Sequence, residues 1–142
     1  MNQVILASHG ELAKGMKNTL DMIVGDLKTV QAFSSYRDEE KNIKELIEKA
    51  IKDNYEKNDI YVLTDILGGS VNNEVMSLLK DYPKIHIIAG MNLPLVISIA
   101  ISKSISDGLL KQLIKESQQS ITDCNQLISK SLNRKEENLW LS

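Results

Sequence analysis

The apolar positions along the chain alternate between two spacings. Residues 2–8, "NQVILAS", are an apolar run without a polar face, the pattern of a strand covered on both sides. From Leu12 the pattern opens out. Leu12, Met16, Leu20 and Ile23 or Val24 recur every three to four positions, which predicts an amphipathic helix over 11–24, stopped by Gly25 and Asp26. "TVQAFSS" (29–35) predicts a weaker strand. "RDEEKNIKELIEKAIKDN" (37–54) predicts a helix with Ile43, Leu46, Ile47, Ala50 and Ile51 on one face and acids at its start, where the helix dipole favours them. "DIYVLTDI" (59–66) is a third strand. "SVNNEVMSLLKDY" (70–82) is a helix after a Gly-Gly turn, with Ser70 as its N-cap. "KIHIIAG" (84–90) is a fourth strand. "NLPLVISIAISKS" (92–104) is an apolar helix with Pro94 near its first turn, and "SDGLLKQLIKESQQS" (106–120) is a helix capped by Ser106 or Asp107.

Strand and helix in strict alternation imply a parallel sheet with helices on both faces and right-handed crossovers. The fold class is α/β: a flavodoxin-like open sheet, mainly parallel, in the order 2-1-3-4, forming one domain over residues 1–130 with a tail over 131–142. After about residue 120 the pattern weakens. "SITDCNQLI" suits a short edge strand, a helix or an arm that leaves the domain. The fourth strand would have an open apolar edge, which invites pairing with another chain. An edge strand from about residue 118 onward, exchanged between two copies in a homodimer, would cover it. Trp140, between two leucines, is expected to fold back or to dock on that partner.

Composition narrows the functional classes. The chain has 142 residues, 42% of them hydrophobic, enough for one core. Its formal net charge is -2 with both signs interspersed, so it carries no footprint for nucleic acid and no polybasic membrane patch. Cys124 is the one cysteine, which excludes an internal disulfide, leaves a metal site without ligands and fits a reducing compartment. The longest apolar run, "LPLVISIAI", is about half the roughly 20 residues of a membrane span. The N-terminal run has no basic flank and is too short for a signal peptide. A cytoplasmic protein is expected.

Open parallel sheets bind ligands beyond the carboxyl ends of their strands, where strand order reverses. In the order 2-1-3-4 that place lies between the first and third strands. The first ends in "SHG" and the third runs into "TDILGGS", so His9 and Asp65 would face each other there. A neutral imidazole is a good nucleophile toward phosphorus. A carboxylate on one ring nitrogen fixes the tautomer and turns the other nitrogen outward. Gly68, Gly69 and Ser70 would offer backbone N–H groups and a hydroxyl to an anion. Singly, each has a structural reading: a histidine after a strand, a turn-capping aspartate, a common turn. Their coincidence at one crevice points to a phosphohistidine site. Gly10 removes a side chain beside His9, so that a large partner can approach. His86, between Ile85 and Ile87, is expected to pack or face outward.

Three segments carry a resemblance: "ILASHGELAKGM", "LTDILGGSVNN" and "IIAGMNLPL", in order and register over roughly residues 1–130. The chain resembles the enzyme IIA component of the mannose family of the bacterial phosphoenolpyruvate-dependent sugar phosphotransferase system. The resemblance implies a phosphoryl carrier in which His9 accepts the group from phospho-HPr and passes it to a IIB component, while membrane IIC and IID components move the sugar. Asp65 matches the orienting carboxylate and Ser70 a residue near the phosphoryl group. The family is generally dimeric, with an exchanged C-terminal strand. Family members are often fused to IIB through a linker rich in alanine and proline. The tail here holds neither, so a free-standing subunit is expected. No cofactor is implied: "GELAKG" and "LGGSVNN" are not nucleotide loops. Ala13 and Met16 are expected to form an apolar collar for HPr, and Met91 and Asn92 to lie at the same partner-binding edge.

Two alternatives share the histidine: the phosphotransfer subunit of dihydroxyacetone kinase, and a regulatory domain that senses the transport system. A receiver domain phosphorylated on Asp65 would need a pair of acids at the first strand's end, where Ser8 and His9 stand.

Overall fold

The structure, a computed structural model, describes residues 2–36 and 42–141. Four strands, β1 (Asn2–His9), β2 (Val30–Ser35), β3 (Asp59–Thr64) and β4 (His86–Ala89), form one sheet in the order β2-β1-β3-β4, parallel at every junction. Helices α1 (Leu12–Val24), α2 (Ile43–Asn54), α3 (Ser70–Met76), α4 (Leu93–Ile101), α5 (Asp107–Gln119) and α6 (Cys124–Leu141) complete the described chain. The expected order 2-1-3-4 is the observed one.

Strand alternation splits the interior into two cores. On β1, Ile5 and Ala7 face the side of α2 and α3, among Ile47, Ile51, Val62, Val71 and Val75. Val4 and Leu6 face the side of α1, α4 and α5, among Leu20, Leu63, Leu95 and Ile99. Burying one such aliphatic side chain contributes about 1.5–3 kcal/mol. The same parity decides what happens at the strand's end. Ser8 continues the α1 face, and its hydroxyl accepts the N–H of Ala13 at 2.7 Å, tying the first turn of α1 to the sheet. His9 continues the α3 face, where the turn after β3 arrives.

Several elements are shorter than their sequence patterns. Residues 37–41 of the expected second helix lie outside the described residues; α2 starts at Ile43, with Asn42 accepting the N–H of Lys44 at 3.0 Å. The third helix ends at Met76 and continues as a 3-10 turn over Ser77–Lys80. There the Ser77 hydroxyl bonds back to the carbonyl of Glu74 at 2.6 Å, a local bond that competes with the helical ladder. Ser106, not Asp107, caps α5 by accepting the N–H of Leu109 at 3.1 Å.

The segment left open between strand, helix and arm is a helix. α6 runs through residue 130, where the domain was expected to end, and its Leu127, Ile128 and Leu132 are exposed. No fifth strand joins the sheet among the described residues, and the outer edge of β4 is open in the single chain. The packing of the Trp140 side chain lies outside the described residues.

Candidate functional site

At the carboxyl edge of the sheet, His9 stands between a carboxylate from β3 and a hydroxyl from α3. Asp65 Oδ2 accepts the backbone N–H of His9 at 2.9 Å and lies 2.8 Å from its ring Nδ1. Asp65 Oδ1 accepts the N–H of Ile66 at 3.0 Å. A carboxylate only accepts, so Nδ1 carries the ring proton. The other nitrogen, Nε2, is then the lone-pair side, and the Ser70 hydroxyl donates to it at 2.9 Å. The imidazole is half exposed while Asp65 is only 10% exposed. Partial burial works to raise the Asp65 pKa, but the hydrogen bonds from the His9 backbone and ring, the ring's charge and the Ile66 N–H outweigh it. Its carboxyl is held below the ordinary value of 3.8 and is ionised at neutral pH.

The glycines have separate reasons. Gly10 turns the chain with φ +55, a backbone that L side chains rarely adopt, and a Cβ placed there would meet nothing within 4 Å. The space beside this turn is open. Gly69 has an ordinary φ of -70, but a Cβ there would stand 2.8 Å from Ile66 Cγ2 and 3.3 Å from His9 Cε1. Glycine lets the turn lie flat against the imidazole. Gly68 turns at φ +81. Gly69, rather than the expected Ser70, is the N-cap of α3, and this frees the serine hydroxyl for Nε2.

The expected collar needs correction. Ala13, on the inward face of α1, is fully buried and cannot touch a partner, whereas Leu12, expected in the core stripe, is half exposed. Only the first position of the α1 stripe shifts, from Leu12 to Ala13, where the first turn packs closely on the sheet; Met16, Leu20 and Val24 pack on the core as expected. Met16 is half buried and lines a shallow depression with Leu12, Gly15, Thr19 and Leu93. Met91 is in the core beside Leu95 and Val96 rather than at the surface. Asn92 is taken up by the fold: it caps α4 by accepting the Leu95 N–H at 3.0 Å and donates to the carbonyl of Ser117 at 3.0 Å. Its place three residues ahead of Leu95, just before "LP", is the sequence signal of that cap.

The exposed apolar groups at this edge are Leu12, Ile66 and Leu67, the last 75% exposed. On the β2 flank, the Tyr36 hydroxyl donates to the carboxylate of Glu11, and Lys14 Nζ lies 5.2 Å from the centre of the Tyr36 ring. His86 is remote in kind: it opens β4 and stacks on Tyr61 with ring centres 4.6 Å apart and an interplanar angle of 10°.

A four-stranded parallel sheet in this order, presenting a carboxylate-held imidazole at its carboxyl edge, defines a flavodoxin-like α/β domain with a histidine offered to solvent. The chain belongs to the family of phosphotransferase-system fructose IIA components, whose sequence profile matches residues 3–118. It is 30% identical over 134 residues to the fructose-specific EIIA component of the phosphotransferase system of Bacillus subtilis strain 168, covering 92% of this chain and 91% of that one. Two solved structures share the fold. The IIA protein associated with the fucose utilization operon of Streptococcus pneumoniae is 26% identical, with a TM-score of 0.78 over 89% of this chain and 96% of that one. The mannose/sorbose-specific IIA subunit of Enterococcus faecalis is 28% identical, with a TM-score of 0.74 over 86% and 93%. The chain is therefore a phosphotransferase component of a sugar phosphotransferase system, as the three sequence segments implied. Among the described residues no helix is long and apolar enough to cross a membrane.

Proposed function

We propose that the chain carries a phosphoryl group on His9, accepting it from phospho-HPr and passing it to a IIB component in the cytoplasm, while IIC and IID components in the membrane handle the sugar. The observation that carries this reading is the pairing of Nδ1 with Asp65, which leaves Nε2 as the lone-pair nitrogen on a half-exposed ring. In the transfer, the Nε2 lone pair attacks phosphorus as the donor's nitrogen–phosphorus bond breaks, and the donor imidazole leaves with that electron pair. Positive charge that develops on the His9 ring is balanced by Asp65, the role of the carboxylate in triad chemistry. Ser70 turns its hydroxyl from Nε2 to the arriving phosphoryl oxygens. Such a transfer depends mainly on alignment and charge stabilisation. Gly68 and Gly69 keep the approach clear. Leu12, Met16, Ile66 and Leu67 supply apolar contact for the two protein partners in turn.

Reconstitution tests this directly. With phosphoenolpyruvate, enzyme I and HPr, the chain gains one phosphoryl group, and an added IIB component removes it. A chain that is labelled but hands nothing to any IIB component would support the sensing role instead. A chain that HPr never labels contradicts both.

In the same reading the chain works as a homodimer. The open edge of β4 and the exposed Leu127, Ile128 and Leu132 of α6 are surfaces that a second copy would cover. Light scattering on a chain truncated after Gln118 is expected to give a monomer; a dimer of unchanged stability would place the interface elsewhere.

A further inference from the structure

Thr64 ends β3 and Asn72 lies in the first turn of α3. Both are polar, and both are almost wholly buried, at 0% and 1% exposure. Burying a hydroxyl and an amide is costly unless each finds a partner, and these two find each other. Asn72 Nδ2 donates to Thr64 Oγ1 at 2.8 Å. The other end of the same amide, Asn72 Oδ1, accepts the N–H of Gly68 at 3.3 Å. Asn73 Nδ2 donates to the Gly68 carbonyl at 3.2 Å, so the glycine is held at both its N–H and its C=O. The backbone carbonyl of Thr64 accepts the N–H groups of Gly90 and Met91, each at 3.0 Å. One residue thus holds the 65–69 turn through its side chain and the turn after β4 through its backbone.

The turn needs such an anchor. Ile66, Leu67 and Gly68 are exposed, and Gly68 adds no side chain to hold its place. Yet this turn delivers Gly69 to within contact of the imidazole and sets Ser70 Oγ 2.9 Å from Nε2. The Ser70–His9 bond is itself exposed, so water competes for it whenever the turn drifts.

We infer that Thr64 and Asn72 are positioning residues for the reacting nitrogen: their buried hydrogen bond fixes the 68–70 turn so that the Ser70 hydroxyl stays on Nε2 of His9. The consequence for transfer rate rests on the phosphocarrier reading above; the consequence for the resting imidazole does not.

Thr64→Val tests it, because valine keeps the shape and removes only the hydroxyl. The Asn72 amide then loses its acceptor and turns, releasing Gly68. Two readouts are taken on the full chain. The ring-nitrogen NMR shifts of unphosphorylated His9 should move to those of Ser70→Ala, reporting loss of the hydroxyl on Nε2. Phosphoryl transfer from phospho-HPr should fall roughly tenfold in kcat, the scale of a small misplacement, with KM for the donor unchanged because neither residue reaches the surface. Thr64→Ser should restore both. In a Ser70→Ala background Thr64→Val should add nothing further, since both act on the same contact. If Thr64→Val fails to fold, Asn72→Leu, which fills the space without stranding an amide, is read in the same way. A variant with wild-type His9 shifts and kcat and only a lowered melting temperature would reduce the pair to core packing and overturn the inference, as would effects that add in full to Ser70→Ala. A wild-type chain that takes no phosphoryl group would defeat the carrier reading, while the nitrogen shifts would still decide this one.

Discussion

The two histidines occupy two regions of one sheet, and the difference between them separates the residue we propose as the carrier from one that packs. His9 ends an interior strand, with Asp65 on one ring nitrogen and Ser70 on the other. His86 begins an edge strand and lays its ring flat on Tyr61. Both lie in strand patterns rich in apolar residues, so periodicity treats them alike. What differs is the end of the strand. At the amino end of β4 the neighbouring residues are still within the ladder. At the carboxyl end of β1 the ladder to β3 has ended at Ala7, and the turn after β3, distant in the sequence, closes on the side chain with both Asp65 and Ser70. A phosphoryl group needs such a place, where polar groups converge and solvent and partners still reach.

The largest test of that contrast removes each ring in turn. His9→Ala is expected to abolish phosphorylation by HPr, and His86→Ala to leave it intact. The second substitution should cost about 1 kcal/mol in urea unfolding through the lost stacking on Tyr61. Labelling that survives His9→Ala and disappears with His86→Ala would reverse the assignment.

Asp65→Asn sharpens it next. The amide can present the wrong group to Nδ1 and cannot balance positive charge on the ring. Single-turnover transfer should slow on the order of 10²-fold, with the fold retained by circular dichroism. A wild-type rate would remove Asp65 from the mechanism.

Gly69→Ala asks how closely the turn must approach. The backbone at φ -70 accepts alanine, so the effect is steric alone: the new methyl meets Ile66 Cγ2 and crowds His9 Cε1. The imidazole should be pushed off Ser70, lowering transfer roughly tenfold, while the exposed Ile66 side chain yields and holds the folding cost to about 1 kcal/mol. Transfer at the wild-type rate would show that the ring has room that the structure does not give it. His86, with no glycine against it, has no counterpart to this variant.

The smallest expected effect is in acid. The Asp65 carboxyl sits below its ordinary 3.8 in the folded chain, so its contribution to stability is fully present above that value and is lost as pH falls through the lower folded value. The stability gap between wild type and Asp65→Asn, followed by urea unfolding, should therefore be constant from neutral pH down to the ordinary carboxylate range and close below it. A gap that closes at neutral pH would mean that the carboxyl is not held low.

Much of this was legible in the sequence, for identifiable reasons. The strands β1 and β3 are continuous apolar runs, and a strand order of 2-1-3-4 puts their ends together. His9, Asp65 and Ser70 could therefore be grouped without seeing the fold. Contacts set by depth rather than order were not legible. Periodicity weights Leu12 over Ala13, but the close approach of α1 to the sheet needs the small residue inside. Met91 and Asn92 follow the carboxyl end of β4, at the same edge of the sheet as the site, yet one fills the core and the other caps a helix. The sequence puts Thr64 in a strand and Asn72 in a helix but does not pair them, because nothing in a strand's last residue announces that its hydroxyl will be buried. After residue 120 no apolar period is strong enough to choose between strand and helix, and α6 exposes Leu127, Ile128 and Leu132.

The central claim is that Nε2 of His9 is the atom that carries the phosphoryl group, because Asp65 holds Nδ1. Phosphorylating nitrogen-15-labelled chain with HPr and reading the phosphorus–nitrogen coupling by NMR tests it in one spectrum. The account predicts a single adduct on Nε2 of His9, labile in acid and stable in base. A phosphoryl group on Nδ1, or a base-labile adduct on Asp65, would contradict it.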